Sequence, residues 1–268
     1  MDFNVTDFNV RLRTIKIREL VLAIVIAFIL TVILSLIFPI IESYDDLLLI
    51  CLLFFLFAFF IYALKGTTGL KEDFNKLFER ENRREILYVM IINLLFAFII
   101  VALFSSLDTF LGFVDPEWTS VLDFTPTAVD PVVFLFESFT AIIVAPIIEE
   151  LVFRGILFNR FKIRIGILPA MILSSFLFAI GHEFGGMISA FVFGMCMCVI
   201  YLKTDNILMS MSIHFLNNLL ATIMDLMAID AFVFKMPILP ITLLVSILSG
   251  LLILIYLYQE IKKIREVS

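Results

Sequence analysis

Charge is scarce in this sequence, and so are several residues that carry chemistry in soluble proteins. Of 268 residues only 16% are charged, two are histidine, three are cysteine and one is tryptophan. So little charge beside so much apolar residue excludes an ordinary soluble domain and a disordered chain. The cysteines, Cys51, Cys196 and Cys198, all lie inside apolar runs; they exclude a disulfide framework and read as small packing hydrophobes. A formal net charge of -6 argues against a nucleic-acid partner. What is abundant is apolar: 62% of residues, 31 of them Phe, with a mean hydropathy of +1.13. Helices apolar on every face stay dispersed only in a lipid bilayer.

Windows of about 20 apolar residues predict eight membrane helices, near 18–41, 45–64, 86–107, 132–153, 165–181, 187–202, 206–228 and 237–258. The expected fold class is all-α, a polytopic integral membrane helix bundle forming one domain over residues 1–268. Arg11, Arg13, Lys16 and Arg18 precede the first span, which is too long for a signal peptide and has no small-residue cleavage site after it. It reads as a retained anchor. With a cytoplasmic N-terminus, every Lys and Arg except Lys235 falls on the cytoplasmic side, the bias expected of a correctly counted helix set. Both termini are then cytoplasmic. Between the second and third spans, residues 65–85 place Leu70, Phe74, Leu77 and Phe78 at helical spacing among charges, which predicts an amphipathic linker on the cytoplasmic surface.

An ionisable group in the hydrocarbon layer is costly and marks a functional position with a partner. Residues 132–228 hold most of them. The fourth span contains Glu149-Glu150 followed by Arg154, the fifth ends at His182, and the seventh contains His214 and Asn218; the only two histidines belong to this set. Glu150 and Arg154, four apart, share a face and can pair. Glu149 is rotated about 100° away and has no such partner on its own helix, which makes it the candidate base, with Glu150 and Arg154 as its brace. Pro146 removes a backbone hydrogen bond and predicts a kink beside it. His214 and Asn218, also four apart, project from one face of their helix. Either pair alone fits structural glue between helices; the three groups together point to a site.

The ordered patterns Glu-Glu-x-x-x-Arg (Glu149, Glu150, Arg154), Phe-x-x-x-His (Phe178, His182) and His-x-x-x-Asn (His214, Asn218) resemble those of the type II CAAX prenyl endopeptidases. The group includes their prokaryotic relatives, the CAAX-protease and bacteriocin-processing intramembrane proteases, also called Abi. The motifs span residues 149–218, and the helix count agrees. The resemblance implies a catalytic core at 132–228 around a polar chamber in the membrane, open toward the cytoplasmic side. There Glu149 and His182 activate water for attack on a peptide carbonyl, and His214 and Asn218 stabilise the oxyanion. It implies a prenylated or membrane-embedded substrate; metal-free hydrolysis with no cofactor is the expectation, and the resemblance alone does not decide it. All groups come from one chain, so a monomer suffices.

A second chemistry uses the same residues: Glu149, His182 and His214 make a His2Glu set that suits zinc with an open position for water. The local signature differs from the zincins, because Gly186 rather than a second His follows His182 four residues on. A proton-coupled transporter and a non-catalytic protein of the same fold are the alternatives from other classes; the first calls for an inverted repeat, which the sequence does not show. Counting helical rise from Lys162 places Glu149 roughly 18 to 20 Å deep and His182 roughly 27 Å, a mismatch that a tilt or a turn of the fifth span must absorb.

Overall fold

The computed structural model describes residues 5–41, 45–115, 117–120 and 130–267. Among them the regular structure is entirely helical: α1 (Asp7–Thr14), α2 (Ile17–Ile37), α3 (Asp45–Leu64), α4 (Leu70–Lys76), α5 (Arg80–Ala97), α6 (Ile99–Val114), α7 (Pro131–Phe139), α8 (Ala145–Glu150), α9 (Asn159–Ile165), α10 (Ile167–Ala179), α11 (Met187–Thr204), α12 (Ile207–Leu226), α13 (Asp230–Val233) and α14 (Leu239–Val267). Seven helical stretches are long and apolar enough to cross a membrane, among them Arg80–Val114, which joins α5 to α6, and Pro131–Ile165, which joins α7, α8 and α9. The eighth expected span is α10. With only 13 residues it rises about 20 Å, short of a hydrocarbon layer of about 30 Å.

The helix from Pro131 to Ile165 runs on through Pro146. Two π-helical stretches, Thr140–Val144 and Leu151–Phe158, flank the short α8 that carries both glutamates. A wide turn just before Pro146 accommodates the missing N–H without ending the helix. The chain then reverses at Gly166, whose φ of 84° lies in the left-handed region that glycine enters freely.

That reversal narrows the depth mismatch. Counting from Lys162, as the charge pattern invites, starts the reversal four residues early, which lengthens the arm of His182 and shortens that of Glu149. Counted from Gly166, Glu149 lies 17 residues before the turn, about 25 Å of helical rise, and α10 ends 13 residues after it, about 20 Å up, with His182 folded back over Phe178. The two arms are tied across the hairpin by Ser174 Oγ donating to Phe153 O at 2.8 Å and by the Phe153 and Phe178 rings, 5.4 Å apart.

α11 is the central helix, with Cys196 through Tyr201 all buried. It meets α10 closely at Gly194, where a Cβ would stand 2.9 Å from the Ser175 Cβ. Cys196 and Cys198 are buried and free, as packing hydrophobes are. α2 lies at the rim. It buries one stripe, Leu20, Ala23, Ala27 and Thr31, and shows the bilayer large residues such as Phe28 and Leu36. Small residues in such a stripe let neighbouring backbones approach.

The basic residues gather at one end. Arg13 pairs with Asp205, Arg160 donates to the carbonyls of Thr14 and Ile15, and Lys203 pairs with Glu85 and Glu260. α1, inside a stretch read only as a charged leader, is a helix here, and its Leu12 packs where a Cβ on Gly155 would sit. The linker also departs from expectation. Its helix α4 has seven residues, and Arg80–Glu85 already belong to the third span. Its buried face carries Asp73, 1% exposed, while Phe74 and Phe78 face outward. Asp73 accepts from Thr6 Oγ1 and Asn9 Nδ2, each at 2.7 Å, and its carbonyl accepts from Asn206 Nδ2 at 2.9 Å. This network fastens α1 and α4 to the start of α12.

Candidate active site

Glu150 and Arg154 are completely buried and paired, Nη1 to Oε1 at 2.9 Å. The i,i+4 spacing read from the sequence holds even though Arg154 stands on the π-helical stretch. The pair has two further partners that spacing alone does not reveal. His214 Nδ1 lies 3.0 Å from the same Glu150 oxygen, and the Phe178 ring covers the guanidinium at 4.5 Å. A cation over an aromatic face is stabilised by the ring quadrupole, more so when dry.

Glu149 points elsewhere. Its side chain is 30% exposed, and its carboxylate is 3.6 Å from His214 Nε2. The two glutamates thus meet the two nitrogens of one imidazole. Glu150, a carboxylate acceptor, assigns the hydrogen to Nδ1; Nε2 then carries a lone pair in the neutral ring and donates only from the imidazolium. Rings fix the imidazole in place: Phe193 lies edge-on at 5.0 Å and Phe178 at 5.7 Å.

His182 is not on a helix. α10 ends at Ala179, and the following turn brings His182 N onto Ala179 O at 3.0 Å and the ring back over Phe178, centroids 4.6 Å apart. Its Nδ1 is 3.0 Å from Phe178 O. A carbonyl only accepts, so Nδ1 carries the hydrogen and Nε2 a lone pair. This explains the spacing of Phe178 and His182: one residue supplies both the ring beneath the imidazole and the carbonyl that fixes its tautomer.

Asn218 donates one amide hydrogen to Ala141 O, in the π-helical stretch, at 2.7 Å; its second remains for another acceptor. His182, His214 and Asn218 line one polar cavity of about 140 Å³, with Phe178, Phe193 and Ser189. Glu149 reaches this group through His214. Two more residues of the wall, Asn93 on α5 and Asn217, escape a search for ionisable groups because an amide is neutral. The signal was nonetheless there: Asn93 is an amide inside an otherwise apolar span, and in lipid an amide too needs a partner.

A second cavity, of about 460 Å³ and almost wholly apolar, lies on the other side of the same helices. Pro146 and Ile147 line it next to Glu149, Met211 and Phe215 next to His214, and it runs on to Leu64 and Thr67. The polar cavity instead reaches Gly186 and Ser189 at the turn between α10 and α11. The apolar cavity, rather than the polar one, therefore extends to the end where the basic residues gather.

Among the described residues no three His, Cys, Asp or Glu side chains come together as a metal-ligand set. Glu149, His182 and His214 are not grouped as such a set here. Comparisons with curated proteins and with solved structures give no match. Residues 131–220, from the start of α7 to Leu220 in α12, match the Rce1-like family model, described as type II CAAX prenyl endopeptidase Rce1-like, the family to which the three motifs point.

Proposed function

We propose that this chain is an intramembrane endopeptidase that hydrolyses a peptide bond in a prenylated CAAX-type or other membrane-associated substrate. The observation that supports the reading is a polar cavity lined by His182, His214 and Asn218, with the Glu149 carboxylate 3.6 Å from His214 Nε2 beside it. Such groups are costly in lipid, and packing alone does not require them.

In this reading Glu149 and the His182 Nε2 lone pair accept from a water, and Glu149 takes its proton as the water oxygen bonds to the substrate carbonyl carbon. The carbonyl oxygen becomes an oxyanion held by the second Asn218 hydrogen and by Nε2–H of His214 in its imidazolium form. Glu149 then gives its proton to the leaving amine as the C–N bond breaks, releasing a carboxylic acid and an amine. Glu150 and Arg154 hold His214 and touch no substrate. The proposed reaction uses no cofactor; zinc on Glu149, His182 and His214 is the competing version. Equal turnover before and after chelation, with less than one zinc per chain, supports the first, and loss of stoichiometric zinc together with activity supports the second.

The apolar cavity supports the substrate class. A hydrocarbon-walled cavity lined by Ile147 and Phe215, near Glu149 and His214 in the chain, suits a lipid chain or an apolar segment of the substrate, reached from the end that the charge bias assigns to the cytoplasm. Reconstituted protein given a farnesylated CAAX peptide, the same peptide with a methyl on the cysteine, and purified membrane proteins tests this by mass spectrometry. We expect cleavage of the farnesylated peptide above the methylated one. Equal cleavage of both, or cleavage of membrane proteins alone, moves the substrate to embedded polypeptide; no product from any of them overturns the enzyme reading.

A further inference from the structure

Asn93 lies on α5, outside the segment that the family match covers, yet lines the cavity that His182 and His214 share. It is 4% exposed. Its Nδ2 donates to Val89 O at 2.8 Å, which fixes the amide, because the reverse placement would set two acceptor oxygens against each other. The Oδ1 that remains is buried and has no hydrogen-bond partner, and the same holds for Oδ1 of Asn217 on the same cavity. The Cys196 thiol lies beside Asn93 and is at best a weak donor. Leaving a buried acceptor unsatisfied costs about 1–3 kcal/mol, so two such oxygens on one cavity call for donors inside it.

We propose that Asn93 and Asn217 are positioning residues for the hydrolytic water, their carboxamide oxygens accepting hydrogens from water ordered in the cavity. Water is the donor that fits. A volume of about 140 Å³ holds a few molecules at roughly 30 Å³ each and is too small for a peptide segment. A carboxamide oxygen cannot donate to an oxyanion, so these two atoms belong to the nucleophile's side of the reaction. A water whose one hydrogen goes to Glu149 or His182 and whose other goes to an amide oxygen has its lone pairs aimed at the carbonyl carbon. The first half of the chain then contributes a residue to the site.

This role rests on the hydrolase reading, and the experiment separates the two. Asn93→Leu keeps the side-chain bulk and removes the acceptor; Asn93→Asp, as the neutral acid, keeps an oxygen at that position and an O–H that can donate to Val89 O. In liposomes we expect Asn93→Leu to lower kcat by about tenfold or more, with KM within about twofold and little change in the unfolding midpoint, since leucine keeps the side-chain bulk. Asn93→Asp should retain most of that kcat, and Asn217→Leu should repeat the effect if Asn93→Leu does not fold. Unchanged kcat in both leucine variants, or an aspartate variant as impaired as leucine, overturns the proposal. An experimental map at water-resolving resolution gives a readout independent of activity: water within hydrogen-bond distance of both Oδ1 atoms supports it and a dry cavity overturns it, even if no substrate is cleaved and the hydrolase reading fails.

Discussion

Burying Glu150 and Arg154 takes two charges out of water, and their mutual attraction offsets that cost only while both are present. Arg154→Ala leaves a carboxylate with His214 alone and should destabilise the protein by about 3–5 kcal/mol, measured by unfolding in mixed micelles. The double variant Glu150→Leu with Arg154→Met should cost less than either single change, because it leaves no lone charge. A double variant worse than both singles would contradict the brace. Activity should fall in all three, since losing Glu150 frees His214 from its carboxylate and losing Arg154 alone removes the cation that holds that carboxylate in place. At this scale the sequence was informative. The i,i+4 pair and the isolation of Glu149 follow from spacing, whereas His214 as the third member, set by the packing of α12 on α8, does not.

Among the elements, the hairpin of α9 and α10 sets the site's geometry, and its position depends on contact with α11. A Cβ at Gly194 meets the Ser175 Cβ at 2.9 Å and its Cα at 3.1 Å. Gly194→Ala should therefore push α10 outward, cost about 1–3 kcal/mol and reduce turnover by moving Phe178 and His182. Full activity in this variant would show that α10 does not govern the site. Asp73 offers a test of the α1 and α4 clasp through pH. Burial holds its carboxyl above the usual carboxylate range, against the opposing pull of its Thr6 hydrogen bond and of Lys76. The folded protein thus keeps this proton over a window in which the unfolded chain has lost it. The stability linked to Asp73 is full below the ordinary carboxylate value and is lost as pH rises through the raised one. The unfolding midpoint of the unmutated protein relative to Asp73→Asn should fall as pH rises above about 4; a gap that widens in its favour would contradict the burial.

Over the whole molecule, the bilayer solvent, seven of the eight spans and the gathering of basic residues at one end follow from apolar windows and charge placement. The three motifs are legible because ionisable groups in lipid are conspicuous. What was not legible has physical causes. The π-helical stretches leave no mark on a 3.6-residue pattern. The turn at Gly166 falls after charges that suggest an earlier boundary, and α10 is shortened by a turn whose purpose, placing His182, appears only beside Phe178. Asn93 is neutral and so stands out less than a charge. The central claim is that Glu149 supplies the base in a pocket assembled from distant helices. Turnover of Glu149→Gln beside the unmutated protein, in the same liposomes with the same lipidated peptide, tests it most directly. The account predicts a loss of at least about 100-fold with an unchanged unfolding midpoint, and undiminished turnover would contradict it.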